Sequence, residues 1–312
     1  QLINAVAVAV GRASPLVKSD MEDQTAKTYV ALSVEEALAQ GTLILLAEDN
    51  ITNQNVIQRQ LKMLGYTCEI ADDGKLALKA WRERDYGILL SDCHMPHMDG
   101  FELTAAIRGD EAGSEKRAPI IAVTANALEG EAQRCIAAGM DDYLSKPLKM
   151  NDLKAMLRKW MPAFEPREKL EAPEVSETSE EEIATLDPVV TKDSVPSDGD
   201  GGSNDAIDSS ALMDVFGDDA DTFKEILQDF VDPSMNIVKE INDAYTVRDA
   251  KAVGAAGHKL KSSSRSVGAH TLADLSETLE MAGKGEDWNT IDNAIPLLEP
   301  TLSYVMDYIK KL

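Results

Sequence analysis

Short apolar runs alternate with amphipathic stretches between residues 41 and 164. The amphipathic stretches repeat apolar residues at helical spacing, as in Val56, Ile57, Leu61 and Leu64. Runs that are apolar throughout indicate strands buried on both sides. The pattern therefore predicts an α/β fold, a doubly wound five-stranded parallel sheet with helices on both faces. The predicted strands are Leu43–Ala47, Cys68–Ala71, Gly87–Leu90, Pro119–Val123 and Asp142–Leu144.

A second region, residues 206–312, repeats apolar positions three and four residues apart and has no strand pattern. This periodicity predicts an all-α helical bundle. The apolar positions are Phe223, Ile226, Leu227, Phe230, Ile237, Val238, Ile241, Leu272, Leu275, Leu279, Ile291, Ile295, Leu298, Leu302, Val305 and Ile309.

The two predicted domains are joined by residues 165–205, which carry a net charge of −10, four prolines and no aromatic residue. Such a composition buries too little apolar surface to offset chain entropy, so we predict a disordered acidic linker. Residues 1–40 are predicted to be the tail of a preceding domain plus a linker, with no chemistry of their own. Within them, Ser33 and Glu36 have the spacing of a capping box that starts one short helical turn.

Length and composition narrow the function classes. The chain has 312 residues, which suggests about two domains, and a net charge of −24, which argues against nucleic acid as a direct ligand. Its three cysteines are widely spaced and odd in number, which fits a reducing cytoplasm better than a disulfide framework or a zinc site. No run of 18 apolar residues occurs, so the sequence predicts no membrane-spanning segment. Because the chain begins with Gln1, we interpret it as part of a longer protein.

Polar residues follow four of the predicted strands. They are Glu48, Asp49, Asp92, Thr124 and Lys146. Because the carboxyl ends of parallel strands meet at one edge of the sheet, we expect these five side chains to converge. Three carboxylates together repel unless a cation joins them, and oxygen ligands with few protein donors suit Mg²⁺. A metal, a lysine and a threonine hydroxyl can hold a phosphoryl group, with Asp92 placed as the nucleophile.

A histidine stands in the helical pattern around residue 258. Val253, Leu260 and Val267 define the predicted buried face, and His258 points about 140° away from Val253, at ~100° per residue. We therefore expect His258 to be exposed, with three residues on its side of the helix. These are Lys261, Ser262 and Arg265. Nearby cations and small side chains suit a phosphorylated imidazole.

Residues 43–161 resemble a response-regulator receiver domain. The resemblance is carried by Ala47-Glu48-Asp49-Asn50, Asp92-Cys93-His94-Met95-Pro96-His97-Met98-Asp99-Gly100, Val123-Thr124-Ala125-Asn126-Ala127 and Ser145-Lys146-Pro147-Leu148. It implies that Asp92 is the phosphoacceptor, that Asp49 binds Mg²⁺ directly and Glu48 mostly through water, and that the main-chain carbonyl of His94 is a further ligand. It also implies that Thr124 contacts the phosphoryl group, that Tyr143 is the aromatic switch, and that Lys146 pairs with the acyl phosphate.

Residues 207–312 resemble a histidine phosphotransfer domain, a four-helix bundle. The matching motif is Gly257-His258-Lys259-Leu260-Lys261-Ser262-Ser263-Ser264-Arg265, followed by Val267-Gly268-Ala269. The resemblance implies that His258 is the second phosphoacceptor, supported by Lys259, Lys261, Ser262 and Arg265. Ser262 departs from the glycine that is common in the family. Receiver, linker and phosphotransfer domain in this order resemble the C-terminal region of a hybrid sensor histidine kinase.

The predicted function is a phosphorelay from an upstream histidine kinase domain to Asp92, then to His258, then to a separate response regulator. The chain has no ATP-binding module. One alternative is a phosphate sink, in which His258 returns the phosphoryl group to Asp92 for hydrolysis. A Mg²⁺-dependent aspartyl-phosphate phosphatase would need an acid at the position of His94, and a pure docking module would not need the full pocket. His94 and His97 straddle Pro96, which disfavours a zinc or copper site, and Cys93 is predicted to be a buried, inert thiol.

Overall fold

The computed structural model describes residues 29–113, 117–124, 129–168, 206–216 and 220–312. Most of the predicted linker, residues 169–205, and the apolar stretch at the start of the chain lie outside the described residues. In chain order the strands are β1 (Tyr29–Val30), β2 (Ile44–Ala47), β3 (Cys68–Ala71), β4 (Ile88–Asp92), β5 (Ile120–Thr124), β6 (Asp142–Ser145) and β7 (Arg167–Glu168). The helices are α1 (Val34–Ala39), α2 (Ile51–Met63), α3 (Gly74–Glu83), α4 (Gly100–Asp110), α5 (Glu129–Ala137), α6 (Met150–Trp160), α7 (Ser209–Phe216), α8 (Ala220–Thr246), α9 (Ala250–Ser266), α10 (His270–Lys284) and α11 (Trp288–Ile309).

Strands β2 to β6 form a parallel sheet in the order β3-β2-β4-β5-β6. Every residue of β2, β4 and β5 is buried, as continuous apolar runs predict. Successive side chains point to opposite faces: Leu45 and Leu89 pack with α3 and α4, whereas Ile44 and Leu90 pack with α2 and α6. The predicted doubly wound sheet is confirmed, and its strand order reverses beside β2, where the ends of β2 and β4 face the same crevice.

The segment before the sheet belongs to the same folded body. β1 pairs antiparallel with β7, Ser33 and Glu36 form the predicted capping box, and Leu32 and Ala37 join the core under the sheet. The structure thus differs from the predicted division, which gave residues 1–40 to a tail and linker and began the acidic linker at residue 165. Two apolar anchors and a two-residue strand carry too little periodicity to be recognised in a sequence.

Four long helices, α8 to α11, build the C-terminal bundle around one core, and the short helix α7 precedes them. The periodic positions Phe230, Ile241, Leu279 and Leu298 are buried, so the predicted bundle is confirmed. Within the described parts of the chain, no helix is both long enough and apolar enough to cross a membrane.

Helices α9 and α10 approach each other closely at one level of the bundle. A Cβ added to Gly283 would lie 2.5 Å from the carbonyl oxygen of Ala250 and from Gly254, and one added to Gly257 would lie 3.0 Å from the backbone nitrogen of Glu280. Glycine is needed here because the backbones leave no room for a side chain. This contact places α10 directly beside His258.

Candidate functional site

The carboxylates at the ends of β2 and β4 form one acidic cluster. Glu48, Asp49 and Asp92 each offer an oxygen, and these oxygens lie within 4.8 Å of one another. Strand register explains the convergence, because Ala47 pairs with Ser91 and the next residues leave the sheet together. Burial raises the pKa of Glu48 to about 7, an effect that Lys146 opposes and Asp92 reinforces. Burial and the proximity of Asp92 also raise the pKa of Asp49. The all-oxygen donor set fits a hard divalent cation.

Lys146 connects two of the three carboxylates. Its ammonium group donates to Glu48 Oε2 and to Asp92 Oδ2, both at 2.6 Å, and the side chain is 8% exposed. Burial would lower the pKa of Lys146, but the charges of Asp92 and Glu48 outweigh it and raise the pKa. Lys146 therefore stays charged and offsets part of the negative charge in the pocket.

Thr124 and Tyr143 lie where the sheet topology predicts them. Thr124 ends β5, is buried, and its carbonyl oxygen accepts a 2.7 Å hydrogen bond from the backbone N–H of Lys146. Tyr143 stands in β6 opposite Ala122 and is 37% exposed. Residues 125–128, and Asn126 with them, lie outside the described residues. The backbone N–H of His94 donates to Asp92 Oδ1 at 3.1 Å, which orients the carboxylate. The metal contact of the His94 carbonyl stays a prediction.

His258 is half-buried, so the expectation that it is exposed is wrong. Its side chain is 26% exposed and its Nδ1 lies 2.9 Å from Glu280 Oε1. Helical periodicity gave the buried face of α9 correctly, with Val253 and Leu260 fully buried. It could not show that α10 comes so close, or that the receiver covers the opposite side of the ring.

Glu280 belongs to the candidate site, next to His258, and the sequence interpretation missed it. Its side chain is 4% exposed, accepts hydrogen bonds from His258 and Lys284, and forms an ion pair with Lys261. Burial raises the pKa of Glu280, but these three partners outweigh it and lower the pKa well below its usual value. An ionised carboxylate only accepts hydrogen bonds, so Nδ1 of His258 carries a hydrogen, and in the neutral ring the lone pair is then on Nε2. A carboxylate in the buried stripe of α10, next to Leu279, was the available signal.

The predicted supporting cations around His258 are all paired. Lys261 is buried against Glu280, and Arg265 donates to Glu277 at 3.0 Å. Lys259 is 3.7 Å from Glu240. Lys261 was expected at the surface and is instead held by α10. It therefore acts on His258 through Glu280.

The receiver and the bundle meet through α2. Asn50 Nδ2 donates to the carbonyl oxygen of Lys259 at 2.9 Å. Asn53 Nδ2 donates to Glu48 Oε1 at 3.0 Å and to Ser262 Oγ at 2.9 Å, while Ser266 Oγ donates to Asn53 Oδ1 at 2.9 Å. Asn53 therefore joins the acidic cluster to the histidine helix. The serine at 262, where a glycine is common, is a hydrogen-bond partner of the receiver.

Further along α2, Val56 packs into the core of the bundle. One turn later, Gln60 is fully buried, and its amide donates to the carbonyl oxygens of Leu148 and Val215, each at 2.7 Å. Leu148 follows the loop that carries Lys146. The interface thus contacts the backbone next to the pocket.

Asp49 of the acidic cluster and His258 line one cavity of about 550 Å³ between the two domains, together with His94, Lys259 and Lys284 among others. The rings of His94 and His258 meet edge to face, with centroids 6.1 Å apart. Asp49 and the predicted phosphoacceptor His258 therefore face one cavity, whereas Asp92 is buried and does not line it.

The other candidate groups do not join the site. Within the described residues, the cluster with metal-ligand spacing is Glu48, Asp49 and Asp92, and it includes no histidine. Cys93 is fully buried, 3.7 Å from the sulfur of Cys135, and burial raises the pKa of both thiols. His270 begins α10, is 55% exposed and lies 3.4 Å from Asp208.

Comparison with known proteins places both regions in families. Residues 44–158 match the response regulator receiver domain, and residues 225–304 match the Hpt domain. The chain is 41% identical over 121 residues to hybrid signal transduction histidine kinase G of Dictyostelium discoideum. The aligned region covers 38% of this chain and 4% of that protein. It is 27% identical over 246 residues to virulence sensor protein BvgS of Bordetella pertussis, covering 78% and 18%. The chain thus spans less than a fifth of either relative.

Among solved structures, the chain is similar to the receiver domain of a sensor histidine kinase from Pseudomonas aeruginosa PAO1, which holds a magnesium ion coordinated in its active site cleft. The two are 44% identical, and the match covers 39% of this chain and 98% of that domain with a TM-score of 0.36.

Proposed function

We infer that this chain, a receiver domain followed by an Hpt domain, is a two-step phosphorelay module in which the phosphoryl group passes from Asp92 directly to His258. The observation that carries the proposal is the cavity lined by both Asp49 and His258, where the ring of His258 lies beside that of His94, two residues after Asp92. Phosphorelay signal transduction is the function of this pair of domains.

In the first step, a carboxylate oxygen of Asp92 bonds to phosphorus, the P–N bond of the donor phosphohistidine breaks, and its electron pair returns to the donor ring. In the second step, the lone pair on Nε2 of His258 forms a P–N bond. The acyl P–O bond breaks, and its electrons stay on the Asp92 carboxylate. The ring of His258 becomes positively charged, and Glu280 stabilises that charge through Nδ1–H.

The pocket is arranged to hold the group in transit. Mg²⁺, bound by Glu48, Asp49, Asp92 and the main-chain carbonyl of His94, would neutralise charge on the phosphoryl oxygens. Lys146 already contacts Asp92 and would pair with a phosphoryl oxygen once the carboxylate is esterified. The hydroxyl of Thr124 would bind another oxygen, and Tyr143 would follow its movement.

We assign the donor to a histidine kinase domain of the same parent protein and the final acceptor to an aspartate of a separate response regulator. The matched kinases, which are much longer than this chain, support the first assignment. The proposed module works in the cytoplasm, without nucleic acid and without contacting a membrane.

A phosphate sink is the second candidate. A cavity lined by Asp49 and His94 adjoins the pocket in the docked arrangement, so water in it would be close enough to hydrolyse a phosphoryl group returned from His258 to Asp92. The two directions differ in the order in which label appears and disappears.

The experiment is a time course with the whole chain and a labelled donor kinase. The relay predicts base-labile label, an acyl phosphate on Asp92, followed by acid-labile label on His258. Asp92→Asn should remove both labels, and His258→Gln should remove the second alone. His270→Gln is the control and should behave as wild type. Label on His258 in the Asp92→Asn chain would contradict the proposed order.

A further inference from the structure

Outside the cavity, the two domains also meet near the C-terminal end of α2, at Arg59. Arg59 Nη1 donates to Glu225, and Arg59 Nη2 donates to Asp229 Oδ2 at 2.9 Å. Glu225 and Asp229 stand four residues apart on α8, so both carboxylates lie on one face of that helix. One guanidinium fork therefore binds two carboxylates of the other domain.

The second anchor is buried and has the same spacing. Ser262 and Ser266 stand four residues apart on α9, and both hydroxyls bond to Asn53. All the groups are buried, so a partner that lacks the hydroxyls would leave polar atoms of Asn53 unsatisfied. Asn53 and Arg59 lie six residues apart on α2 and contact two different helices of the bundle.

The net charges of the two domains make the contact of Arg59 with Glu225 and Asp229, the rim contact, selective. Residues 41–164 carry a net charge of −3 and residues 206–312 a net charge of −9, so the domains repel each other at long range. Arg59 is a local exception, and it meets two of the bundle's carboxylates. Exposed ion pairs add little affinity, but a mismatched charge at such a place strongly disfavours docking. Rejection of wrong partners is therefore the main effect of this contact.

We propose that Arg59 is a specificity-determining residue by which the receiver selects its own Hpt domain, with Asn53 setting the register of the docked helices. The partner that this surface fits is a helical bundle with two carboxylates four residues apart on one helix and two small hydroxyl residues four apart on the next. The inference deepens the proposed function and rests on it, because selection of the docked partner determines where the phosphoryl group goes.

The test is a charge exchange in the whole chain. Arg59→Glu should slow transfer from Asp92 to His258 about tenfold at low ionic strength, because three carboxylates then meet at the rim. Glu225→Arg with Asp229→Arg should slow it similarly, since three cations meet. The chain with all three substitutions should recover to within about threefold of wild type. Arg82→Glu, which breaks an ion pair with Asp110 inside the receiver, is the matched control and should change nothing.

Docking is measured independently of phosphate by the rotational correlation times of the two domains from ¹⁵N relaxation. The two correlation times should be equal in wild type. They should differ in Arg59→Glu and in the Glu225→Arg, Asp229→Arg chain, and they should be equal again in the triple variant. A triple variant no better than the slower parent, or an Arg59→Glu chain that docks and transfers as wild type, would overturn the inference. Wild-type chain that docks without transferring label would instead refute the proposed function and leave the docking surface standing.

Discussion

The acidic pocket and the histidine site are assembled by different means. The pocket gathers Asp49, Asp92 and Lys146 from strand ends far apart in the chain, and the parallel sheet fixes their meeting point. The histidine site depends on how closely α10 approaches α9 and on a carboxylate from α10, Glu280. Topology alone is enough to place the first set of residues, whereas the second also needs the details of helix packing. Substitutions in the two sites should therefore fail in different ways.

The largest effect should come from the metal-binding carboxylate. Asp49→Asn should reduce Mg²⁺-dependent labelling of Asp92 by acetyl phosphate by about 100-fold or more, since even indirect partners of metal ligands contribute up to that much. Glu48→Gln should weaken Mg²⁺ binding less, because Glu48 is already engaged by Lys146 and Asn53. The measurement is a Mg²⁺ titration of labelling rate. Asp110→Asn, a carboxylate away from the pocket, should match wild type. Equal Mg²⁺ affinity in all four chains would remove the metal assignment.

Removing the charge of Glu280 should slow the reaction at the histidine site and leave the reaction in the acidic pocket unchanged. Glu280→Gln keeps the shape and the hydrogen bond but stabilises a charged imidazole less. Transfer to His258 should slow about tenfold, which corresponds to ~1.4 kcal/mol in the barrier. Labelling of Asp92 should stay unchanged. Rapid-quench kinetics give both rates.

Glu277→Gln provides the control for Glu280. Glu277 stands on the same helix and pairs with Arg265, but it does not contact His258. Its transfer rate should stay within about twofold of wild type. If the two variants slow transfer equally, Glu280 contributes only general charge and the distinction between the two sites weakens.

His94 belongs to both sites, because it follows Asp92 and its ring faces that of His258. His94→Ala should change the lifetime of phospho-Asp92 several-fold, on the expectation from the receiver-domain resemblance that this side chain limits how water approaches the acyl phosphate. Mg²⁺ affinity should not change. The decay of base-labile label in a His258→Gln background measures this, and His97→Ala serves as control. An unaltered lifetime would show that the ring does not shield the acyl phosphate.

The smallest effect concerns stability in acid. The pKa of Glu280 in the folded chain lies below its ordinary value of 4.5, so the unfolded chain binds more protons in that window. The stability that Glu280 contributes is therefore fully present above pH 4.5 and is lost as the pH falls through the lowered pKa. Urea unfolding between pH 5 and about pH 3 should show a shallower loss for Glu280→Gln than for wild type. Parallel curves would mean that the carboxylate is not ionised against His258.

More of the acidic pocket than of the histidine site could be predicted from the sequence, and the reason is physical. A strand end is visible as the point where an apolar run meets a polar residue, and Asp92 and Lys146 were found in this way. The exposure of His258 was misjudged because periodicity gives the direction of a side chain on its own helix and nothing about neighbouring helices. Gly283 lets α10 approach α9 and Glu280 contacts the ring, and the only local signal of this contact was a carboxylate in the buried stripe of α10.

The relay from Asp92 to His258 predicts that the two domains meet, but the residues that dock them could not be predicted from the sequence. Asn53 and Gln60 occupy an ordinary helical stretch, and their polarity agrees equally well with a solvent-exposed face. Their burial depends on a second domain more than 150 residues away in the chain. The interface is formed by polar residues of α2 that leave its helical pattern unbroken. Only the folded structure therefore shows that they contact the second domain.

Direct transfer within one chain is the central claim, and its concentration dependence tests it most directly. Wild-type chain labelled on Asp92 is followed by rapid quench over a hundredfold range of protein concentration, with a mixture of His258→Gln and Asp92→Asn chains as the intermolecular reference. The account predicts first-order transfer to His258 in wild type, independent of concentration, because the linker predicted from the sequence for residues 165–205 would hold both sites at an effective concentration of ~1 mM. The mixture should transfer in proportion to concentration and more slowly at low micromolar levels. A wild-type rate that rises with concentration and matches the mixture would contradict transfer within the chain.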